Sequence, residues 1–302
     1  YLLFTNVFKK YGITARLVQI KDTGAIEGAI DEHTRFIYAE TIGNPVMDVP
    51  DIAKLAKIAH DHGLPLVVDS TLTTPYLVNP IDLGADVVIH STTKYLSGHG
   101  NAPGGVVIDG GNFNWSNGRF EDFKPFVDRK GDLALLDRIW REHHINFGTT
   151  QAPFHSYLTM TGLDTFVLRM ERHLANTMEV AEFLKKQPQV QWVNYPGLSG
   201  HPDRDLAEKQ FSGKGFGALM TFGLKDEQAC FKLIDNLNLI YHLANLGDCK
   251  TLVIHPWSTQ YLSFAGDVKT DLGILPGLVR LSVGIEDVED IKEDLAQALQ
   301  KL

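Results

Sequence analysis

Asp86-Val87-Val88-Ile89-His90-Ser91-Thr92-Thr93-Lys94 decides how this chain is read. The first half is a short β-branched run bounded by a loop, the pattern of a buried strand. Lys94 therefore leaves the carboxyl end of a strand and points inwards. An ammonium is seldom buried unless it is paired or used chemically, and burial lowers its pKa from about 10.4 towards a nucleophilic range. Such a lysine suits a Schiff base with a carbonyl cofactor.

Upstream, Pro65-Leu66-Val67-Val68-Asp69-Ser70 is a second short apolar strand, and it ends in a carboxylate. Open α/β sheets bind ligands outside the carboxyl ends of their strands, where both Asp69 and Lys94 fall. One lysine and one aspartate at neighbouring strand ends match pyridoxal phosphate (PLP): the lysine holds the aldehyde and the aspartate keeps the ring nitrogen protonated. Ser91 and Thr93 offer hydroxyls to the phosphate. Against this stand a solvated surface lysine and an aspartate that merely turns the chain. The letters Ser91-Thr92-Thr93-Lys94 also spell S-x-x-K, but the S-D-N and K-T-G strings that accompany an acylating serine do not occur.

The stretch before these strands alternates in the same way. Leu17-Val18-Gln19-Ile20 reads as a strand and Ala25–Ile30 as a short helix capped by Asp22 or Thr23. Asp22-Thr23-Gly24 resembles the aspartic-protease triplet, which needs two copies sharing a proton, and there is one. Arg35–Glu40 is a strand leading to Asn44-Pro45, where an asparagine before proline is held extended at yet another strand end. Residues 50–62 carry apolar side chains at helical spacing, closed by Gly63. Repeated strand–helix–strand order predicts right-handed crossovers and a largely parallel sheet, with 104–108 as one more strand. Gly98-His99-Gly100 leaves room just after the lysine. Residues 109–117 read as a loop, in which Asn114-Trp115-Ser116 is a chance sequon. Residues 119–150 are charged and aromatic, and Glu142-His143-His144 lacks the H-E-x-x-H spacing and third ligand of a metal centre.

Beyond Thr150 the pattern changes. Residues 163–186 read as one long helix with Leu163, Phe166, Val167, Met170, Leu174 and Met178 on one face, followed by strands at 191–194 and 218–222 and helices from Asp226 and Asp287. A domain of α+β character is placed here, giving a PLP-binding domain over 1–165 and a substrate domain over 166–302. Within it, Leu278–Gly284 is a strand with Arg280 inside it. That guanidinium takes either a substrate carboxylate or a structural ion-pair partner. Asn245 lies in the glycine-containing turn Ala244–Asp248.

Composition narrows the function. Hydrophobic residues at 44% and charged residues at 22% describe an ordinary globular protein, and 302 residues suffice for two cores. A net charge of −9 with no basic run argues against nucleic acid, and no apolar stretch reaches membrane-span length. Two cysteines build neither a disulfide framework nor a metal knuckle, which suggests a reducing cytoplasm. The chain starts at Tyr1 rather than Met, and an upstream part is expected to be absent.

Thr41–Pro45, Val68–Thr71, His90–Tyr95 and Arg280–Glu286 together resemble the Cys/Met-metabolism family of PLP enzymes, over essentially the whole chain. Gly98-His99-Gly100, Gly110–Trp115, Asn245–Asp248 and Ile254-His255-Pro256 are most similar to the sulfhydrylases of that family that act on O-acetylhomoserine, whereas the cystathionine synthases and lyases usually carry Ser at the place of Asn245. The resemblance implies the aspartate-aminotransferase-like α/β fold (fold type I), with a mostly parallel sheet domain and a smaller α+β C-terminal domain. It implies that Lys94 is the Schiff-base lysine and proton shuttle and that Asp69 pairs with the pyridinium. Asn44 would bond the phenolic oxygen, Ser91 and Thr93 the phosphate, and Arg280 the substrate α-carboxylate with Asn245 nearby. The implied reaction is γ-replacement: O-acetylhomoserine and sulfide or methanethiol give homocysteine or methionine and acetate, a transferase step of methionine biosynthesis. A γ-synthase or γ-lyase of the family is the neighbouring alternative, and a non-catalytic remnant acting by interaction is an alternative of another class. A cytoplasmic homotetramer, a dimer of dimers with shared sites, is also implied. The family's Tyr-Gly-Gly-Thr turn, its Gly-Met phosphate turn and the Tyr and Arg that reach a neighbour's site all match positions before Tyr1. Asn101-Ala102-Pro103 departs from the Thr-containing triplet of sulfhydrylases, and residues 119–146 match only loosely.

Overall fold

The computed structural model describes all residues from Tyr1 to Leu302, arranged around two sheets. The first runs in the order β1 (Ile37–Glu40), β2 (Leu66–Asp69), β3 (Val87–Ser91), β4 (Gly105–Asp109). β1, β2 and β3 are parallel, with Glu40 opposite Asp69 and Asp69 opposite Ile89, so their carboxyl ends are level; β4 is antiparallel, with Gly105 opposite Ser91. Two helices precede β2: α1 (Thr23–Gly28) and α2 (Ile52–Asp61). The carboxylate of Asp22 accepts the Ala25 N–H and that of Asp51 accepts the Lys54 N–H, satisfying donors that helix starts leave unpaired. α2 buries Ile52, Leu55, Ala56, Ile58 and Ala59 against the sheet, the i, i+3, i+4, i+7 stripe expected of a crossover helix.

The second sheet has the order β5 (Trp192–Asn194), β6 (Leu219–Gly223), β9 (Leu278–Ser282), β8 (Leu252–Ile254), β7 (Tyr241–His242), antiparallel except for β7 with β8. β9, which carries Arg280, lies in its middle. Two apolar cores support the sheets. One, of 18 buried residues, fills the space beneath β1–β3 and is completed by Phe113, Trp115, Phe120, Phe123 and Phe126, so the loop read at 109–117 is an aromatic plug; Trp115 stacks on Phe123 with centroids 4.1 Å apart. The other, of 35, joins the second sheet to Ile42, Leu72, Leu77 and Tyr95 from the first half, so the two halves share a core.

Two expectations fail for physical reasons. Leu17–Ile20 forms no strand: no neighbouring strand pairs with it, and Leu17 and Val18 stand exposed. The long helix at 163–186 is two helices, α3 (Pro153–Leu163) and α4 (Phe166–Leu184), the second starting just after the boundary at 165. Leu163 and Val167, read as apolar-face residues, are exposed. The face that α4 buries is partly polar: Arg169, His173 and Asn176, spaced i, i+4, i+7, alternate with Met170, Leu174 and Ala181.

That polar stripe bonds to the backbone of both halves. Arg169 Nη1 donates to Tyr95 O at 2.7 Å, and its Nη2 to Leu96 O at 3.2 Å and Gly162 O at 2.8 Å. His173 Nδ1 donates to Val283 O at 2.7 Å, and Asn176 Nδ2 to Gly284 O and Glu286 O at 3.1 and 2.8 Å. Burial holds the imidazole neutral, its pKa lowered to about 4. α3 approaches the same loop so closely that a Cβ on Gly162 would stand 2.2 Å from Ser97 O. Because the obstacle is backbone, Gly162→Ala must push the helix off the loop that follows Lys94, and overpacking of this kind costs about 1–3 kcal/mol. A denaturant titration of wild type and Gly162→Ala measures it; equal midpoints would contradict the contact.

Candidate active site

Four of the residues singled out in the sequence meet where the two sheets face each other. Lys94 follows β3 in a tight turn, its N–H donating to Ser91 O at 3.3 Å and its carbonyl accepting from Gly98 N–H at 2.7 Å. Its Nζ donates to Oδ1 of Asn245, which arrives from the turn between β7 and β8. Arg280 projects from the middle of β9. Its Nη1 donates to Asn44 Oδ1 at 3.2 Å and to Gln260 Oε1 at 3.1 Å, and its Nη2 to the Asn245 carbonyl at 3.0 Å.

The guanidinium is 2% exposed, yet none of the protein's ion pairs includes it. Of the two readings of Arg280, the structural ion pair is therefore absent. A desolvated cation among neutral oxygens loses affinity for its proton, and burial lowers the Arg280 pKa to about 10 against the weaker upward pull of Tyr261 and Tyr95. Lys94 is likewise pushed down from its ordinary value, by burial first and by the Arg280 charge second.

Asp69 and Ser91 form a second group, on the first sheet. Asp69 Oδ1 accepts the Thr71 N–H at 2.9 Å, whereas Oδ2 has only a long contact, 3.4 Å, from the Tyr38 hydroxyl. Thr71 Oγ1 in turn accepts the Ser91 N–H at 2.9 Å, so one threonine ties the ends of β2 and β3 together. The Ser91 hydroxyl bonds to no protein group. Thr93 differs: its hydroxyl donates to Gly104 O at 3.2 Å and accepts the Gly104 N–H at 2.9 Å, so its proton is already used in anchoring the start of β4.

Three participants escaped the reading of the sequence. Gln260 carries no motif. Thr71 looks like any residue after a strand. Glu40 was visible as a third carboxyl group at a strand end, and the parallel register sets it beside Asp69. Its Oε2 accepts the Asn44 N–H at 3.2 Å, and burial, with the Asp69 charge second, raises its pKa to about 7. Part of this side chain stays open to water, so solvent screens the charge on that edge.

The chemistry of these groups fits PLP. An amine (Lys94), a carboxylate oxygen lacking a close donor (Asp69 Oδ2) and a hydroxyl free to donate (Ser91) stand at adjacent strand ends. The Asn44 Nδ2 donors are likewise unused, since only Oδ1 is bonded. Comparison with known proteins points the same way. The family described as Cys/Met metabolism PLP-dependent enzyme matches residues 1–300. An O-acetyl-L-homoserine sulfhydrylase of Leptospira meyeri is 41% identical over 100% of this chain and 72% of its own length. A homocysteine synthase of Schizosaccharomyces pombe is 40% identical over 99% of this chain and 73% of its own. A solved O-acetylhomoserine (thiol)-lyase of Campylobacter jejuni, which contains a pyridoxyl-lysine monophosphate, superposes with a TM-score of 0.92 at 34% identity, covering 99% of this chain and 74% of that one.

The Glu40–Asp69 neighbourhood predicts a pH dependence of stability. A carboxyl whose pKa is higher in the folded than in the unfolded chain binds its proton more tightly when folded, so its contribution worsens as pH rises from about 4.5 to about 7. Glu40→Gln should therefore melt higher than wild type at pH 8, and the gain should vanish by pH 4.5. A difference in melting temperature that does not change with pH removes the coupling.

Proposed function

The chain belongs to the Cys/Met metabolism family of PLP-dependent enzymes, and on that footing we propose that it is a transferase carrying out γ-replacement on O-acetylhomoserine. The C–O bond at Cγ breaks and acetate leaves with its electron pair. Sulfide or methanethiol forms the new C–S bond, giving homocysteine or methionine, a step of methionine biosynthesis. The observation that carries the reading is Arg280: a buried guanidinium beside Lys94, with no carboxylate of its own, is a receptor for the α-carboxylate of an amino acid. Similarity to sulfhydrylases supports the leaving group and the sulfur donor.

When bound, PLP supplies an aldehyde for a primary amine and a ring that accepts electrons from a substrate carbon. Asp69 Oδ2 would accept from the ring nitrogen, Asn44 Nδ2 would donate to the phenolic oxygen, and Ser91 would donate to the phosphate. Thr93 supports the same loop and reaches a phosphate only by giving up one of its Gly104 bonds. Lys94 takes the proton from the substrate Cα: its lowered pKa leaves more free base near neutrality, and Asn245 Oδ1 holds Nζ in place. Arg280 fixes the carboxylate, and the two sheets bury the site around it.

The protein also reads as a cytoplasmic homo-oligomer, a dimer of dimers with shared sites. α3 and the start of α4 turn Phe154, Met160 and Leu168 outwards at 66%, 67% and 69% exposure, an apolar face that a second copy would cover. Both cysteines are free, which suits a reducing compartment, and no helix is long and apolar enough to cross a membrane. The large domain would span 1–165 and the substrate domain 166–302.

Lys94→Ala should lower turnover of O-acetylhomoserine with sulfide by about 100-fold or more, the range for loss of a general base. Arg280→Ala should raise KM by about 10- to 100-fold, from the loss of hydrogen bonds to a charged group worth about 1.5–3 kcal/mol. Homocysteine assays over a range of substrate concentrations read both, and a Lys94→Ala enzyme of wild-type rate would overturn the assignment. Sedimentation equilibrium checks the oligomer, which a monomer at micromolar concentration contradicts.

A further inference from the structure

Gln260 makes an unusual contact for so exposed a side chain. Its Oε1 accepts from the Nη1 of Arg280 at 3.1 Å, although the guanidinium is buried and Gln260 is open to solvent. The backbone around it is well held. Thr259 Oγ1 donates to His255 O at 2.7 Å, Tyr261 N–H donates to Pro256 O at 3.1 Å, and the Lys269 ammonium both donates to Trp257 O at 3.0 Å and lies 4.5 Å from the Trp257 ring. The Gln260 side chain itself has no other hydrogen bond, so it can swing while its loop stays fixed.

The donors of Arg280 are unevenly used. Nη1 has two protons, and both are engaged, by Asn44 and by Gln260; Nη2 has one of its two engaged, by the Asn245 carbonyl. An incoming carboxylate binds an arginine best through two parallel N–H groups. The Asn245 acceptor is backbone, and Asn44 is tied to Glu40 through its own N–H. Gln260 is the acceptor that can leave.

We propose that Gln260 is a displaceable stand-in for the substrate's α-carboxylate. Its neutral oxygen keeps the desolvated guanidinium satisfied and aimed while the site is free of substrate, and an α-carboxylate, bonding more strongly because it is charged, takes its place. A ligand lacking the carboxylate does not displace it, so binding of a simple amine leaves the Gln260–Arg280 contact in place. The proposal rests on the reading of Arg280 as the carboxylate receptor.

The test compares L-norleucine with pentylamine, which differ by the carboxylate, as ligands of the PLP-loaded full chain, with dissociation constants taken from the cofactor's absorption band. Wild type should bind norleucine at least about tenfold more tightly, a difference of about 1.4 kcal/mol. Gln260→Glu places a carboxylate against Arg280 permanently; it should weaken norleucine about tenfold or more and leave pentylamine unchanged, at about the scale of a charge-assisted bond. Gln260→Ala should bind norleucine as tightly as wild type or tighter. If wild type does not distinguish the two ligands, the carboxylate role of Arg280 fails, and the proposal with it. If wild type does distinguish them, the proposal alone is overturned by Gln260→Glu leaving norleucine binding unchanged, by its weakening both ligands equally, or by Gln260→Ala weakening norleucine tenfold as loss of a structural support would.

Discussion

A single buried guanidinium, that of Arg169, joins the two halves of this protein at the point where their chemistry meets. Its donors close the carbonyls of Tyr95 and Leu96, just past Lys94, and of Gly162 in the neighbouring helix. The Tyr95 and Leu96 carbonyls belong to a loop with no strand or helix to satisfy them, and a buried carbonyl without a partner is costly. One turn further along the same helix, His173 and Asn176 do the same for the backbone that follows Arg280. One rigid helix thus sets the loop bearing Lys94 against the strand bearing Arg280, by hydrogen bonds rather than by apolar packing alone. Apolar contacts would tolerate sliding, whereas directional bonds to successive carbonyls do not.

The charges of the site are segregated. Lys94 and Arg280 lie towards the second sheet, Glu40 and Asp69 at the strand ends of the first, with Tyr261 close enough to feel both Glu40 and Arg280. Like charges brought together out of water favour the neutral form of one partner. Burial displaces Lys94 downwards and Glu40 upwards, and the like charge beside each, Arg280 and Asp69, adds to the shift in the same direction. The arrangement sets an amine at one side and the two carboxyl groups at the other.

How much could be read in advance depended on how local the cause was. The strands ending at Asp69 and Ser91, the helix behind them and the arginine within a strand were legible because β-branched runs, helical spacing and capping aspartates act over a few residues. The break between Leu163 and Phe166 and the polar stripe on the second of those helices were not. Both answer to the backbone of residues 95–97 and 283–286, which lies far off in sequence and leaves no periodic trace. Likewise Leu17–Ile20 has the composition of a strand but no partner to pair with.

Sequence by itself determined which chemical groups this protein owns and at which kind of position they fall: an amine, a carboxylate and a hydroxyl at the carboxyl ends of short buried strands, and a cation inside another. The tertiary structure alone decided their company. Only the folded chain shows that Arg280 lacks a carboxylate partner, that the Thr93 proton is taken by Gly104, and that Gln260, 20 residues from Arg280, fills the acceptor position. The reason is physical: strand ends and caps follow from local backbone and side-chain preferences, whereas desolvation and hydrogen-bond partnership depend on which distant segments the core brings together.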